Sequence, residues 1–113
     1  MKLYTYVFDI DNTICITENS NYHDSEPLSD RIAIINQLHD SGHFIILCTA
    51  RGMGRSGNNP RVAYELFFEL TKNQLEEWGV KYHSLMLGKP AGDFYIDDKG
   101  IKDHDFFEIR SFE

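Results

Sequence analysis

The chain opens with a run of β-branched and aromatic residues, Leu3–Ile10 (LYTYVFDI). A run of this kind, almost free of charge, predicts a strand buried in a sheet. Residues Asp11–Pro27 are polar, rich in Asn, Ser and Asp, and lack a period, which predicts a loop. Beyond them Ile32, Ile35 and Leu38 fall at helical spacing, and Ala33 and Ile34 widen the stripe. Ser29 suits the N-cap of that helix and Gly42 its end. His43–Thr49 (HFIILCT) is a second continuous apolar run. Arg51–Pro60 holds three glycines, two asparagines and a proline, which is loop chemistry. A helix is predicted from about Arg61 to Leu70. Thr71-Lys72-Asn73-Gln74 has the form of a capping box, so a second short helix is predicted from there to Gly79. Val80–Leu87 reads as a third strand and Asp93–Ile96 as a short fourth. The tail Asp103–Glu113 predicts one helical turn and a short edge strand.

Strands alternate with helices, and three of the strands look buried on both faces. This pattern predicts an α/β sandwich with a mainly parallel sheet. No linker divides the chain, so residues 1–113 are expected to form one domain. Composition agrees: 113 residues with 42% hydrophobic and 26% charged residues is the make-up of a globular core. No apolar run approaches the length of a membrane span, and the N-terminus lacks a secretory signal. Only Cys15 and Cys48 occur, without metal-ligand spacing. Two reduced thiols in a cytoplasmic protein are expected. The net charge of −7 argues against nucleic acid as a partner but leaves room for a small phosphorylated substrate.

In a parallel sheet, ligands bind beyond the carboxyl ends of the strands. The first predicted strand ends in Asp9-Ile10-Asp11-Asn12-Thr13, the second in Thr49-Ala50-Arg51. Gly88-Lys89-Pro90 follows the third, and Asp97-Asp98-Lys99 the fourth. Four converging carboxylates repel one another unless a cation intervenes. Mg²⁺ held by carboxylates and phosphate removes the conflict. Lys89 and Thr49 supply the charge and the donor that a phosphate oxygen needs. The group therefore predicts a Mg²⁺-dependent phosphoryl-transfer site.

These four motifs, in this order, resemble those of the haloacid dehalogenase-like superfamily of phosphohydrolases. Asp9-Ile10-Asp11-Asn12-Thr13 is similar to its DxDx(T/V) motif. Thr49 after Phe44–Cys48, Lys89, and Asp97-Asp98 after Phe94–Ile96 are similar to the other three. The stretches TARG, QLEEWGVKYHSL and GKPAGDFYIDDK further resemble short bacterial phosphatase-like proteins linked to capsule and surface-polysaccharide biosynthesis. The resemblance implies a three-layer α/β/α Rossmann-like fold and a phosphomonoesterase. It makes Asp9 the nucleophile that becomes an aspartyl-phosphate. It makes Asp11 the general acid and then the base. Mg²⁺ would be held by Asp9, the main-chain carbonyl of Asp11, and the Asp97/Asp98 pair, with Asp98 direct and Asp97 through water. Thr49 and Lys89 would bind the transferring phosphoryl group. Substrate contacts are expected from Thr49, Ala50, Arg51, Lys89 and Arg55, with Arg51 or Arg55 gripping an anionic part of the substrate beyond its phosphate. Tyr22 and His23, by position alone, are placed beside the site.

Many members of that superfamily carry a cap domain. Here the gaps hold a 13-residue loop, Ile14–Glu26, and a helix with a Gly-rich loop, which leaves no room for one. A capless core implies a large substrate or a homo-oligomer in which a neighbour completes the site. A truncated domain is also consistent with so small a chain. The substrate class implied is a sugar phosphate or related small metabolite. Two other readings compete: a phosphatase acting on a macromolecular end, and a non-catalytic module that binds Mg²⁺ and phosphate. Gly52-Met53-Gly54-Arg55-Ser56-Gly57 is a literal GxGxxG. The dinucleotide fingerprint needs its last glycine to open a helix, and here Asn58-Asn59-Pro60 intervene.

Overall fold

Parallel pairing demands crossovers long enough to hold a helix, and each apolar run is separated from the next by such a stretch. A computed structural model describes residues 1–110. Its elements run β1 (Thr5–Phe8), β2 (Cys15–Ile16), β3 (Glu26–Pro27), α1 (Ser29–Asp40), β4 (Phe44–Thr49), α2 (Pro60–Glu77), β5 (Ser84–Leu87) and α3 (Asp103–Arg110). A 3₁₀ turn at Tyr22–Asp24 precedes β3. The sheet order is β1-β4-β5, parallel throughout, with Val7 opposite Ile46 and Leu47 opposite Leu85. The result is a compact α/β domain with a three-stranded parallel sheet and three helices. Among the described residues no helix is long and apolar enough to cross a membrane.

The core gathers around β4. Ile45, Leu47 and Thr49 alternate inward and are fully buried. Ile32 and Ile35 of α1, Leu75 of α2, and Phe106 and Phe107 of α3 close over Phe8, Ile10 and Ile14. Phe8 lies edge-on to Phe106 at 5.4 Å and stacks on Phe107 at 5.8 Å, the separations at which aromatic pairs attract. The expectation that all three strands are buried on both faces is not met: even in β4 the face opposite Ile45, Leu47 and Thr49 carries an exposed Phe44 and only partly covered Ile46 and Cys48. β1 and β5 are the sheet's edges among the described residues, and Val7 and Met86 are exposed there.

Both helix stops fall where the glycines are. The N–H groups of Gly42 and His43 bond to the carbonyls of His39 and Leu38. Those of Gly79 and Val80 bond to Glu76 and Leu75 in the same way. This double bond pattern closes a helix by satisfying carbonyls that would otherwise be orphaned. Asn59 caps α2, its side chain accepting from the N–H groups of Arg61 and Val62. The start of α1 differs from expectation. Ser29 lies within the helix, and the cap position falls to Leu28, which makes no side-chain bond. The N–H of Leu28 is instead donated to the carbonyl of Ile14 at 2.9 Å, so contact with the preceding segment sets the entry angle.

Four further expectations are corrected. Residues 60–77 form one helix, with no break at Thr71. Ala63, Phe67, Thr71 and Leu75 recur every fourth residue and are buried together, so Thr71 sits on the inner stripe and meets no free N–H to cap. The segment 11–27 is not all loop: β2 and β3 pair antiparallel within it, Cys15 opposite Pro27. Residues 93–96 form no strand, and Phe94 and Ile96 are exposed. The Tyr95 hydroxyl instead donates to the Pro90 carbonyl at 2.5 Å and accepts from the Gly92 N–H, folding the segment back on itself. Strand propensity is expressed only where a neighbouring strand receives it. The tail forms a helix over Asp103–Arg110. The end of the edge strand expected there, at 111–113, lies outside the described residues.

The Gly-rich loop crosses α2 at closest approach at Gly52, whose φ is +80°. A Cβ there would lie 2.8 Å from the Phe67 ring and 2.9 Å from the Ala63 backbone. Gly52→Ala is expected to lower stability by roughly 1–3 kcal/mol through overpacking, read as a drop in the midpoint of urea unfolding. An unchanged midpoint would mean that α2 yields freely at this contact.

Candidate active site

The carboxyl ends of the three strands deliver their side chains to one edge. Asp9 follows β1 directly. The chain then turns at once, the Ile10 carbonyl accepting from the N–H groups of Thr13 and Ile14. Lys89 lies two residues beyond β5, and the N–H groups of Gly88 and Lys89 both bond to the Thr49 carbonyl at the end of β4. That anchorage brings Lys89 Nζ to 3.4 Å from Asp9 Oδ2. The other oxygen, Oδ1, accepts from the Ile10 N–H at 2.8 Å. Burial pushes the Asp9 carboxyl above its ordinary range, outweighing the opposite pull of Lys89 and of the Ile10 N–H. The Lys89 ammonium also lies 4.3 Å from the centre of the Tyr95 ring.

Asp9 and Asp11 open onto a cleft of about 440 Å³, the range of a small-molecule site. Its walls carry Asn12, Tyr22, Ala50, Arg51 and Tyr95. Asp11 sits at the base of a hydrogen-bond network. Thr17 Oγ1 donates to Asp11 Oδ1 at 2.6 Å. Arg51 Nε and Nη2 reach the same carboxylate at 3.0–3.2 Å. Arg51 is only 1% exposed. Its Nη1 donates to Thr71 Oγ1 and Gln74 Oε1, its Nη2 also lies 3.4 Å from Ser25 Oγ, and its guanidinium covers the Tyr22 ring. Gln74 Nε2 donates in turn to the Tyr22 carbonyl at 2.6 Å.

Of the residues expected here, the structure brings together Asp9, Asp11, Ala50, Arg51 and Lys89, and it confirms Tyr22 as a wall. Others are placed differently. Arg51 is not a free cation for the substrate, because each of its three guanidinium nitrogens is bonded inside the protein. Arg55 does not line the cleft and lies over the Phe67 ring at 4.8 Å. Thr49 is fully buried, and its hydroxyl accepts the Arg51 backbone N–H at 3.1 Å beneath the cleft wall. His23 belongs to the 3₁₀ turn and is absent from the cleft walls.

Asp97 and Asp98 stand apart from the cleft, in an exposed segment. Asp97 accepts from the N–H groups of Lys99 and Gly100, which hold its carboxyl below the usual range. Without a fourth strand nothing carries this pair to the sheet edge. Among the described residues no group of three His, Cys, Asp or Glu side chains could hold a metal ion. Both cysteines are free, and burial pushes both thiols up, so they remain thiols.

Thr17 and Ser25 support the site without having been singled out by the sequence pattern, and Thr71 and Gln74 support it although the pattern marked them only as a capping box. For two of them a signal exists. Read as one continuous helix, α2 places Thr71 and Gln74 on its apolar stripe, and a polar residue there needs a buried partner.

The fold and the cleft define an α/β domain with two carboxylates, Asp9 and Asp11, opening onto a cleft at the carboxyl edge of a parallel sheet. No model of a known protein family matches the chain, and no curated protein matches it. A crystal structure of an MCSG target from Vibrio cholerae is similar in fold, with a TM-score of 0.85 and 26% sequence identity. The match covers 93% of this chain and 88% of that one, so the likeness extends over nearly the whole of both.

The raised pKa of Asp9 fixes a sign for stability. The folded state binds the Asp9 proton more tightly than the unfolded state. Its contribution is therefore full below the ordinary carboxyl range and is lost as pH rises through the raised value. In metal-free protein Asp9→Asn is expected to be more stable than wild type at pH 7, with the difference vanishing below about pH 4. Denaturant unfolding at the two pH values checks this, and a variant less stable at pH 7 would contradict it.

Proposed function

We propose that this chain is a phosphomonoesterase of the haloacid dehalogenase-like type, with that superfamily's three-layer arrangement and no cap. The observation that carries the reading is Asp9 at the end of the first strand, 3.4 Å from Lys89 and facing a cleft shared with Asp11. A carboxylate nucleophile needs its attacking oxygen exposed to the substrate, and a cation must offset the charge it brings against a phosphate. Asp9 and Lys89 meet both needs.

An Asp9 oxygen attacks phosphorus as the bond to the ester oxygen breaks, and Asp11 gives that leaving oxygen its proton. Asp11 then takes a proton from water. The water oxygen attacks phosphorus, the bond to Asp9 breaks, and inorganic phosphate leaves. Mg²⁺ is proposed as the cofactor, and when bound it would neutralise charge between Asp9 and the phosphoryl oxygens. Asp9 and the Asp11 carbonyl offer the hard oxygen donors that suit this ion. In the described conformation the donor set is incomplete, since Asp97 and Asp98 lie apart. The substrate class proposed is a sugar phosphate or related small metabolite, in surface-polysaccharide synthesis. A cleft with two tyrosines, two asparagine- and serine-type side chains and small residues suits a small polar ligand.

Purified protein is expected to hydrolyse an aryl phosphate and members of a sugar-phosphate panel with Mg²⁺, and to lose this with EDTA. Asp9→Asn should abolish turnover, and Lys89→Ala should lower it about 10²–10³-fold, the loss typical of one electrostatic donor. Absence of Mg²⁺-dependent turnover across the panel would overturn the reading in favour of a non-catalytic module.

A further inference from the structure

The two oxygens of Asp11 are not equivalent. Oδ1 accepts from Thr17 Oγ1 at 2.6 Å, from Arg51 Nη2 at 3.0 Å and from Arg51 Nε at 3.2 Å, with the Cys15 thiol at 3.8 Å. Oδ2 accepts from Arg51 Nε alone among the described residues, at 3.1 Å. The donors have a fixed direction. Thr17 spends its one proton on Asp11, so Ser25 Oγ, 2.6 Å away, must donate to Thr17. Ser25 then accepts from Arg51 Nη2. Asp11, Thr17, Ser25 and Arg51 thus close a ring in which Oδ1 is the terminal acceptor and is saturated.

The far side of the guanidinium is held as firmly. Thr71 and Gln74 on α2 take Nη1, and the Tyr22 ring lies against the guanidinium face. Arg51 therefore cannot swing into the cleft without abandoning bonds that a buried cation requires.

We propose that Arg51 is a positioning residue: with Thr17 it saturates Oδ1 of Asp11 and leaves Oδ2 as the atom that exchanges the proton with the leaving group and with water. This rests on the phosphomonoesterase reading above. Proton delivery to a leaving oxygen needs one carboxyl oxygen with a lone pair still open and its direction fixed; Oδ2, which shares Arg51 Nε with Oδ1, is the less engaged of the two, and a rotating carboxylate would present either oxygen or neither.

The test is leaving-group dependence. For wild type, Arg51→Met, Arg51→Lys and Thr17→Val, kcat/KM is measured with Mg²⁺ on a series running from p-nitrophenyl phosphate to alkyl phosphates. This parameter reports the step that breaks the ester bond. A good leaving group departs without a proton and a poor one does not. Arg51→Met is expected to lose about 10²-fold or more on alkyl phosphates, the range of a general acid's contribution, and far less on p-nitrophenyl phosphate. Arg51→Lys should recover part of the loss. Thr17→Val keeps the buried cation and should steepen the same dependence by a smaller factor, so it decides the matter if Arg51→Met does not fold. Losses equal across the series would overturn the proposal, since general damage or a lost substrate contact lowers all members alike. Failure of wild type to hydrolyse any member would instead defeat the phosphomonoesterase reading, and this inference with it.

Discussion

A guanidinium buried as completely as that of Arg51 is tolerated only when its donors are matched by acceptors, because the cost of taking a cation out of water is several kcal/mol. Here the acceptors come from places far apart in the chain: Asp11 after the first strand, Ser25 before β3, and Thr71 and Gln74 in α2. Satisfying one side chain therefore joins the turn after β1, the segment that walls the cleft and the longest helix. Removing one partner of a buried pair like Arg51–Asp11 typically costs about 3–5 kcal/mol, since the other charge is left stranded. The site and the local fold are held by the same bonds.

Parallel topology does the rest. Asp9 and Lys89 are eighty positions apart in the numbering, yet both follow strands that point the same way in one sheet. The two N–H bonds from Gly88 and Lys89 to the Thr49 carbonyl extend that alignment past the last paired residue. A carboxylate and an ammonium thereby meet at 3.4 Å, each within two residues of the end of its strand. Thr49 contributes by its backbone and its buried position, and its hydroxyl serves the Arg51 N–H.

Much of this was legible from local pattern. The apolar runs around Val7, Ile46 and Leu85 became paired strands, and Gly42 and Gly79 ended the helices they were expected to end. Asp9, Asp11 and Lys89 were recognisable because they stand at strand ends, where a parallel sheet presents its chemistry. Thr71 misled because a Thr-x-x-Gln pattern caps a helix only where N–H groups are free, and inside a continuous helix none are. Phe94–Ile96 misled because β-propensity measures fit to a neighbouring strand, which local sequence does not supply. Arg51 looked like a substrate-binding cation because a glycine-rich loop around it reads as exposed.

The sequence by itself determined the order of elements, the strand ends and the residue types gathered there. These follow from periodicity and backbone preference, which act over a few residues. Only the tertiary structure decided what those residues face. It turned Arg51 inward onto Asp11, made Thr71 and Gln74 its far partners, and left Asp97 and Asp98 outside the cleft. The reason is physical: a buried polar group is satisfied by whatever the fold places within about 3 Å of it, and proximity between segments 20 to 40 residues apart is a property of packing.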